Sequence, residues 1–185
     1  MKKIVIYSLL FNLLLLCFSA CKSPYRYLKE RQSVECELVG FGANPSTSYP
    51  KYEKFRDETS IAHLKKYTAS KSVTLKTYAY WALLEKMEEG YLEIFDKALS
   101  ETDSVTINCG CKIWEEAIAI TTYNNYWEKQ FGMNYDPEDE EVVFIGNRKK
   151  MYELDSLILH HPIQHDDLIY MARNNAFYQE NRSNK

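Results

Sequence analysis

The chain has 185 residues, 45% of them hydrophobic and 26% charged, with a formal net charge of −3. That balance fits an ordinary globular protein and excludes a disordered, collagen-like or multi-spanning membrane chain. Only 6 glycines and 5 prolines are present, below the roughly 12% of average usage, which argues against an all-β chain with a tight turn every few residues and favours helices.

At the N-terminus, Lys2 and Lys3 precede an uncharged run from Ile4 to Ala20 that ends in small residues. This is the layout of a secretory signal, so residues 1–20 are set apart from the fold. The run is 17 residues long, at the lower edge of the roughly 17–25 that span a bilayer, which leaves an uncleaved anchor open beside ordinary secretion. Phe18-Ser19-Ala20-Cys21 resembles the lipobox of bacterial lipoproteins, with Phe18 where that family usually carries leucine. The resemblance implies cleavage before Cys21 and acylation of its thiol. Acyl chains, at about 0.8 kcal/mol per buried CH₂, would then hold the protein on a membrane without a spanning helix. Lys22-Ser23-Pro24 carries neither the aspartate that the family links with inner-membrane retention nor the acidic cluster linked with surface display. The expected address is therefore the cell envelope, on the outer membrane and facing the periplasm.

Loss of Lys2 and Lys3 with the leader takes the formal charge from −3 to −5. An acidic body has no broad footprint for phosphate backbones, so no nucleic-acid partner is expected. Cys17 leaves with the leader and Cys21 is taken by lipid, which leaves Cys36, Cys109 and Cys111. One disulfide plus one thiol is the simplest outcome in an oxidising compartment. It pairs Cys36 with either Cys109 or Cys111, because a bridge from Cys109 to Cys111 would close a very small strained ring.

Residues 21–50 mix charges with Gly40, Gly42, Asn44, Pro45, Ser46, Thr47, Ser48 and Pro50, a composition that breaks elements and predicts a lipidated tether with one short helix near Tyr25–Cys36. Residues 51–175 then read as a helical domain. Ile61, Leu64 and Tyr67 follow the cap candidates Thr59 and Ser60,. The clearest helix carries Leu75, Ala79, Ala82, Leu83 and Met87 on one stripe and stops at Gly90,. Tyr91, Ile94, Phe95, Ala98 and Leu99 form the apolar face of the next, which ends near Ser100.

Leu75-Lys76-x-x-Ala79-x-x-Ala82-Leu83, a short turn, a compact apolar helix and Thr102-Asp103-Ser104-Val105 resemble the short bacterial form of the HEAT repeat. Lys76 stands where that family has arginine. Val105-Thr106-x-x-Cys109-x-x-Lys112-Ile113 would open the next second helix, with Cys109 in the place of Ala79, although Thr106 and Lys112 depart from the pattern. The resemblance covers about residues 58–115 and implies a stack of antiparallel helix pairs capped by the remaining helices. The caps are a helix over 113–131, a helix beginning at Asn147 and ending at His161-Pro162, and a last helix around Leu168, Ile169, Met171 and Ala172,. Residues 132–146 are expected as an acidic loop around Asp136–Glu141, and residues 176–185 as a polar tail.

His160, His161 and His165 with Asp166 and Asp167 are ligand types for zinc or copper, but Pro162 divides the histidines and the aspartates suit a helix start,. Cys109 and Cys111 could hold a soft metal or exchange disulfides, against the simpler role of Cys109 as a small core residue. His63 has no sequence partner. Glu85, Glu88, Glu89, Glu115 and Glu116 are carboxylates of the type used in acid and base catalysis, and equally ordinary solubilising charge. No nucleophile elbow, zinc-protease, P-loop or dinucleotide fingerprint is present,.

The expectation is thus an all-α, HEAT-like domain, lipid-anchored in the cell envelope and acting as a non-catalytic protein-binding module or scaffold, with no cofactor and no metal. Tyr78, Trp81, Tyr123, Tyr126 and Trp127 are its candidate partner-binding rings, since Tyr and Trp bury large areas at low entropic cost. The same rings could be core. The alternatives are a periplasmic inhibitor or immunity protein acting on a basic partner through its acidic loop, and a thiol or metal protein using Cys109 and Cys111.

Overall fold

The computed structural model describes the backbone of residues 23–136 and 139–175, with side chains throughout except at 132–143. The chain opens with helix α1 (Pro24–Lys29), strand β1 (Ser33–Val39) and the short strand β2 (Asn44–Pro45). Four helices follow: α2 (Tyr49–Glu58), α3 (Ile61–Tyr67), α4 (Val73–Lys86) and α5 (Tyr91–Leu99). A hairpin of β3 (Ser104–Gly110) and β4 (Lys112–Ala117) leads into α6 (Ile118–Glu128). A second hairpin, β5 (Phe131–Asp136) with β6 (Asp139–Phe144), precedes α7 (Arg148–His160) and α8 (Asp166–Asn174).

The architecture is α/β, and this corrects the all-α expectation. Four strands form a mixed sheet in the order β2-β1-β3-β4, with β1 and β3 parallel and the outer pairs antiparallel. The parallel pair needs a long crossover, and α2 to α5 supply it,. Both central strands carry period-two alternation: Val34, Cys36 and Leu38 against Glu35 and Glu37, and Val105, Ile107 and Cys109 against Thr106 and Asn108,. That period overrides the three-residue spacing of the HEAT resemblance. The segment matching a second helical repeat is therefore a β-hairpin. Gly110 and Cys111 make its turn between the paired Cys109 and Lys112, with glycine at the first turn position and φ +54°,.

The segment expected as an irregular tether is built into this sheet. Leu28 and Val34 are fully buried, and Ser46 and Ser48 are buried as well. The Glu35 carboxylate accepts from the Ser46 hydroxyl at 2.5 Å and the Ser48 amide at 3.2 Å, which anchors the loop to β1. The residues expected as an acidic loop form the second hairpin, apart from residues 137 and 138, which lie outside the described residues. Its base is closed by the pair Phe131 and Phe144, whose rings meet edge to face at 5.4 Å.

Helix α4 is the centre of the fold. It touches α1, α2, α3, α5 and α6 and both parallel strands, so residues on all its sides, from Thr77 to Leu84, are buried, as expected of a helix packed all round. Ser72 caps its start, accepting from the Leu75 amide at 3.3 Å. Its far end is capped from α7: buried Lys150 donates from Nζ to the Leu84 carbonyl at 2.6 Å and the Met87 carbonyl at 2.7 Å, between the rings of Tyr91 and Tyr126. These carbonyls would otherwise be orphaned at a buried helix end. Burial pushes the Lys150 ammonium down to about 8. Truncating a side chain such as Leu83, fully buried here, costs about 2–5 kcal/mol in comparable cores.

Candidate functional site

An open cleft of about 400 Å³ lies between the sheet and α6, within the roughly 300–1,000 Å³ of small-ligand sites. Edge strand β4 contributes Trp114 and Glu116, two residues apart and hence on one face,. Their register partners Ile107 and Val105 are buried, so this is the inner face of the sheet. Helix α6 contributes Thr121, Asn124, Asn125 and Glu128, whose spacing places them on one stripe opposite β4,. Trp81 comes from α4, Tyr49 from the first turn of α2, and Lys129 follows α6.

The wall on the β1 side is covalently braced. Cys36 and Cys109 form a disulfide across the parallel strands, with Cα atoms 4.9 Å apart, and both line the cleft beside Leu38. Cys111 is the exposed free thiol.

Two lining residues each carry a fully buried polar atom without a hydrogen-bond partner among the described residues, Trp81 Nε1 and Asn124 Oδ1. Trp81 is only 3% exposed, and an unmet buried donor costs about 1–3 kcal/mol. The carboxylates are perturbed too. Burial raises the Glu116 carboxyl, a hydrogen bond from Trp114 partly offsets this, and the charges of Asp167 and Glu128 add to the rise. Burial also raises Glu128, against a smaller opposing effect of Lys129.

Behind the cleft Glu85 gathers donors. Its Oε1 accepts from the Tyr52 hydroxyl, from Asn125 Nδ2 at 2.8 Å and from Lys129 Nζ at 2.6 Å, while Oε2 accepts from Arg56 at 2.9 Å. Burial opposes the Glu85 charge, but Lys129 and the hydrogen bonds outweigh it and hold the carboxyl below its usual range. This network sets the position of Asn125 and Lys129.

The five aromatic candidates do not form one surface. Tyr78, Tyr123 and Tyr126 are buried core rings, and Trp127 is half-buried against Phe131 at 4.4 Å. Trp81 alone of the five lines the cleft. Tyr78, one turn before it on α4, stacks on Tyr52 at 5.0 Å, and its hydroxyl accepts from the Glu35 amide at 2.8 Å. Cys21 lies outside the described residues. The histidines are spread over separate tasks: His160 bonds the Ser156 carbonyl at 2.6 Å, buried His161 the turn at Ile163, and His165 the Leu99 carbonyl at 3.0 Å. Among the described residues no group of three or more His, Cys, Asp or Glu is placed to hold a metal ion.

Sequence reasoning missed Trp114, Glu128 and the α6 stripe because it ran one helix through 113–131, which scrambles the faces of both β4 and α6. The polar spacing Thr121, Asn124, Asn125, Glu128 within an otherwise apolar helix was the available signal. Comparison with protein families, curated proteins and solved structures finds no match to this chain.

Proposed function

We propose that this chain is a lipid-anchored cell-envelope protein, held through Cys21, whose domain is a non-catalytic binding module that engages a protein partner at the cleft between β4 and α6. The observation that carries this reading is an open cleft between the sheet and α6 whose rim exposes the Trp114 ring to 38%. An exposed Trp at the rim of an open cleft is the pattern of a recognition pocket, where a partner covers the ring. Among the described residues no helix is long and apolar enough to cross a membrane, and the anchor in this proposal is the acylated Cys21.

The test has two parts. Fractionation of cells carrying the wild type and Cys21→Ser is expected to move the protein from the membrane to the soluble fraction, and retention of the variant on the membrane sinks the anchor. In-cell crosslinking is expected to capture a discrete partner with the wild type and to lose it with Trp114→Ala. Equal capture by both proteins, or no partner at all, sinks the binding module.

A further inference from the structure

We propose that the protein partner is a second copy of this chain, joined edge to edge by antiparallel pairing of β4 with β4 about a two-fold axis at Trp114. The proposal rests on the binding-module reading above and names its partner.

Strands β2 and β4 flank the four-stranded sheet, and with six residues against two, β4 is its long edge. Lys112, Ile113, Trp114 and Glu115 are exposed along it, Ile113 to 71%. Among the described residues the backbone hydrogen bonds of β4 run to β3, and none reaches its outer side. A row of unpaired N–H and C=O groups beside exposed apolar side chains is a template for another strand. In such strand addition the main-chain hydrogen bonds supply affinity, and the alternate side chains choose the partner.

Charge complementarity identifies the added strand as β4 of a second copy. Antiparallel pairing of a strand with its own copy sets the two-fold axis perpendicular to the sheet, so directly opposed residues share a face. With the axis at Trp114, Lys112 of each copy lies opposite Glu116 of the other, and the two Trp114 side chains meet between them. All three residues stand on the inner face, since their β3 partners are Cys109, Val105 and Ile107. The result is two Lys–Glu pairs around an aromatic pair, both favourable cross-strand combinations. Lys112 makes no ion pair among the described residues, so its charge is available to the second copy. An axis at Ile113 sets Glu116 against Gly110, and an axis at Glu115 sets that carboxylate against its own copy. Of these three registers only the one at Trp114 opposes unlike charges. Both inner faces stay on one side of the joined sheet, so the two clefts open side by side with the Trp114 pair at their junction.

The test is sedimentation equilibrium of the full chain in density-matched detergent over about 1–100 µM. A pairing of six-residue strands is small beside the roughly 800 Å² per partner of stable complexes, so micromolar dissociation is expected. The wild type should dimerise in this range. Lys112→Glu or Glu116→Lys sets like charges opposite each other twice and should weaken the dimer at least about tenfold. An equimolar mixture of these two variants should recover it, since both facing pairs again become unlike in charge. Trp114→Cys combined with Cys111→Ser leaves both charges in place and should close a disulfide between copies, because opposed Cα atoms lie about 4.5–5.5 Å apart. That reading of the register stands even should Glu116→Lys fail to fold. A monomeric wild type overturns the proposal. So does a dimer indifferent to Lys112→Glu, one that mixing two folded variants does not recover, or one that forms no disulfide at position 114. Crosslinked capture of a different protein through Trp114, with the chain itself monomeric, overturns this inference and leaves the binding module standing. Absence of any partner, copy or other protein, overturns both.

Discussion

Lys129 donates to Glu85 Oε1 at 2.6 Å, and the same oxygen accepts from Asn125 at 2.8 Å. Two residues of the cleft lining are thereby held by a carboxylate that lies outside it. Glu85 sits on the last turn of the central helix α4, so the cleft is referenced to the most deeply packed element of the fold.

Replacing Glu85 with glutamine should therefore be costly. Arg56 and Lys129 would lose their common counter-ion in a site where the Glu85 side chain is only 12% exposed, and breaking such a partly buried network costs about 2–4 kcal/mol. The carboxyl is held below its ordinary value of 4.5. Its contribution is complete above that value and is lost as pH falls through the lower folded value. Urea unfolding at neutral pH should show the loss in Glu85→Gln, and the variant's stability should fall less steeply than the wild type's in acid.

The disulfide closes a loop of sequence separation 73. The loss of unfolded-chain entropy for a loop of that size corresponds to roughly 4 kcal/mol, at the upper end of typical values. Replacing both Cys36 and Cys109 by alanine should lower stability by about 2–4 kcal/mol in calorimetry. Reductant should produce the same loss in the wild type and none in the variant.

Asp155 is fully buried on α7, and the Tyr123 hydroxyl donates to its Oδ1 while Oδ2 has no partner among the described residues. Burial pushes its carboxyl from 3.8 up to about 7. The native state then holds a proton that the unfolded chain has released, so stability falls as pH rises from about 4 to about 7 and levels off above. Raised Glu116 and Glu128 act in the same sense. Thermal midpoints measured across that range should fall in the wild type, and Asp155→Asn should reduce the fall without removing it.

Gly146 has no room for a side chain. A Cβ there would meet the Gln130 side chain, whose Cβ would be 2.7 Å away. Gln130 is buried, donates to the Tyr126 carbonyl at 2.9 Å and accepts from the Asn147 amide at 3.2 Å, tying the end of α6 to the start of α7. Gly146→Ala must displace it, at about 1–3 kcal/mol. Hydrogen exchange should quicken first at Asn147 and in the first turn of α7, and unchanged protection there would refute this account.

Several helices were legible because their signals are local. Ser60 and Asn147 each accept from the amide three residues on, a contact made within one turn. The apolar spacing of Tyr91, Ile94, Phe95, Ala98 and Leu99 maps directly onto the buried face of α5. The sheet was missed although Ser33–Val39 and Ser104–Gly110 both alternate at period two. Each strand is short, and the Gly, Pro and Ser residues after β1 mimic a linker.

By itself the amino-acid sequence determined two of the helix caps and the helical stripes, since each depends on residues within a few positions of one another. Tertiary structure alone decided that Cys109 and not Cys111 bridges Cys36. It also decided that Tyr78 and Tyr123 are core while Trp114 is partly exposed at the cleft rim, and that Glu116 and Glu128 line one cleft. Those outcomes depend on the parallel pairing of β1 with β3 and on the rotation of α4 and α6. Packing over long sequence separations sets both, and no local period encodes them.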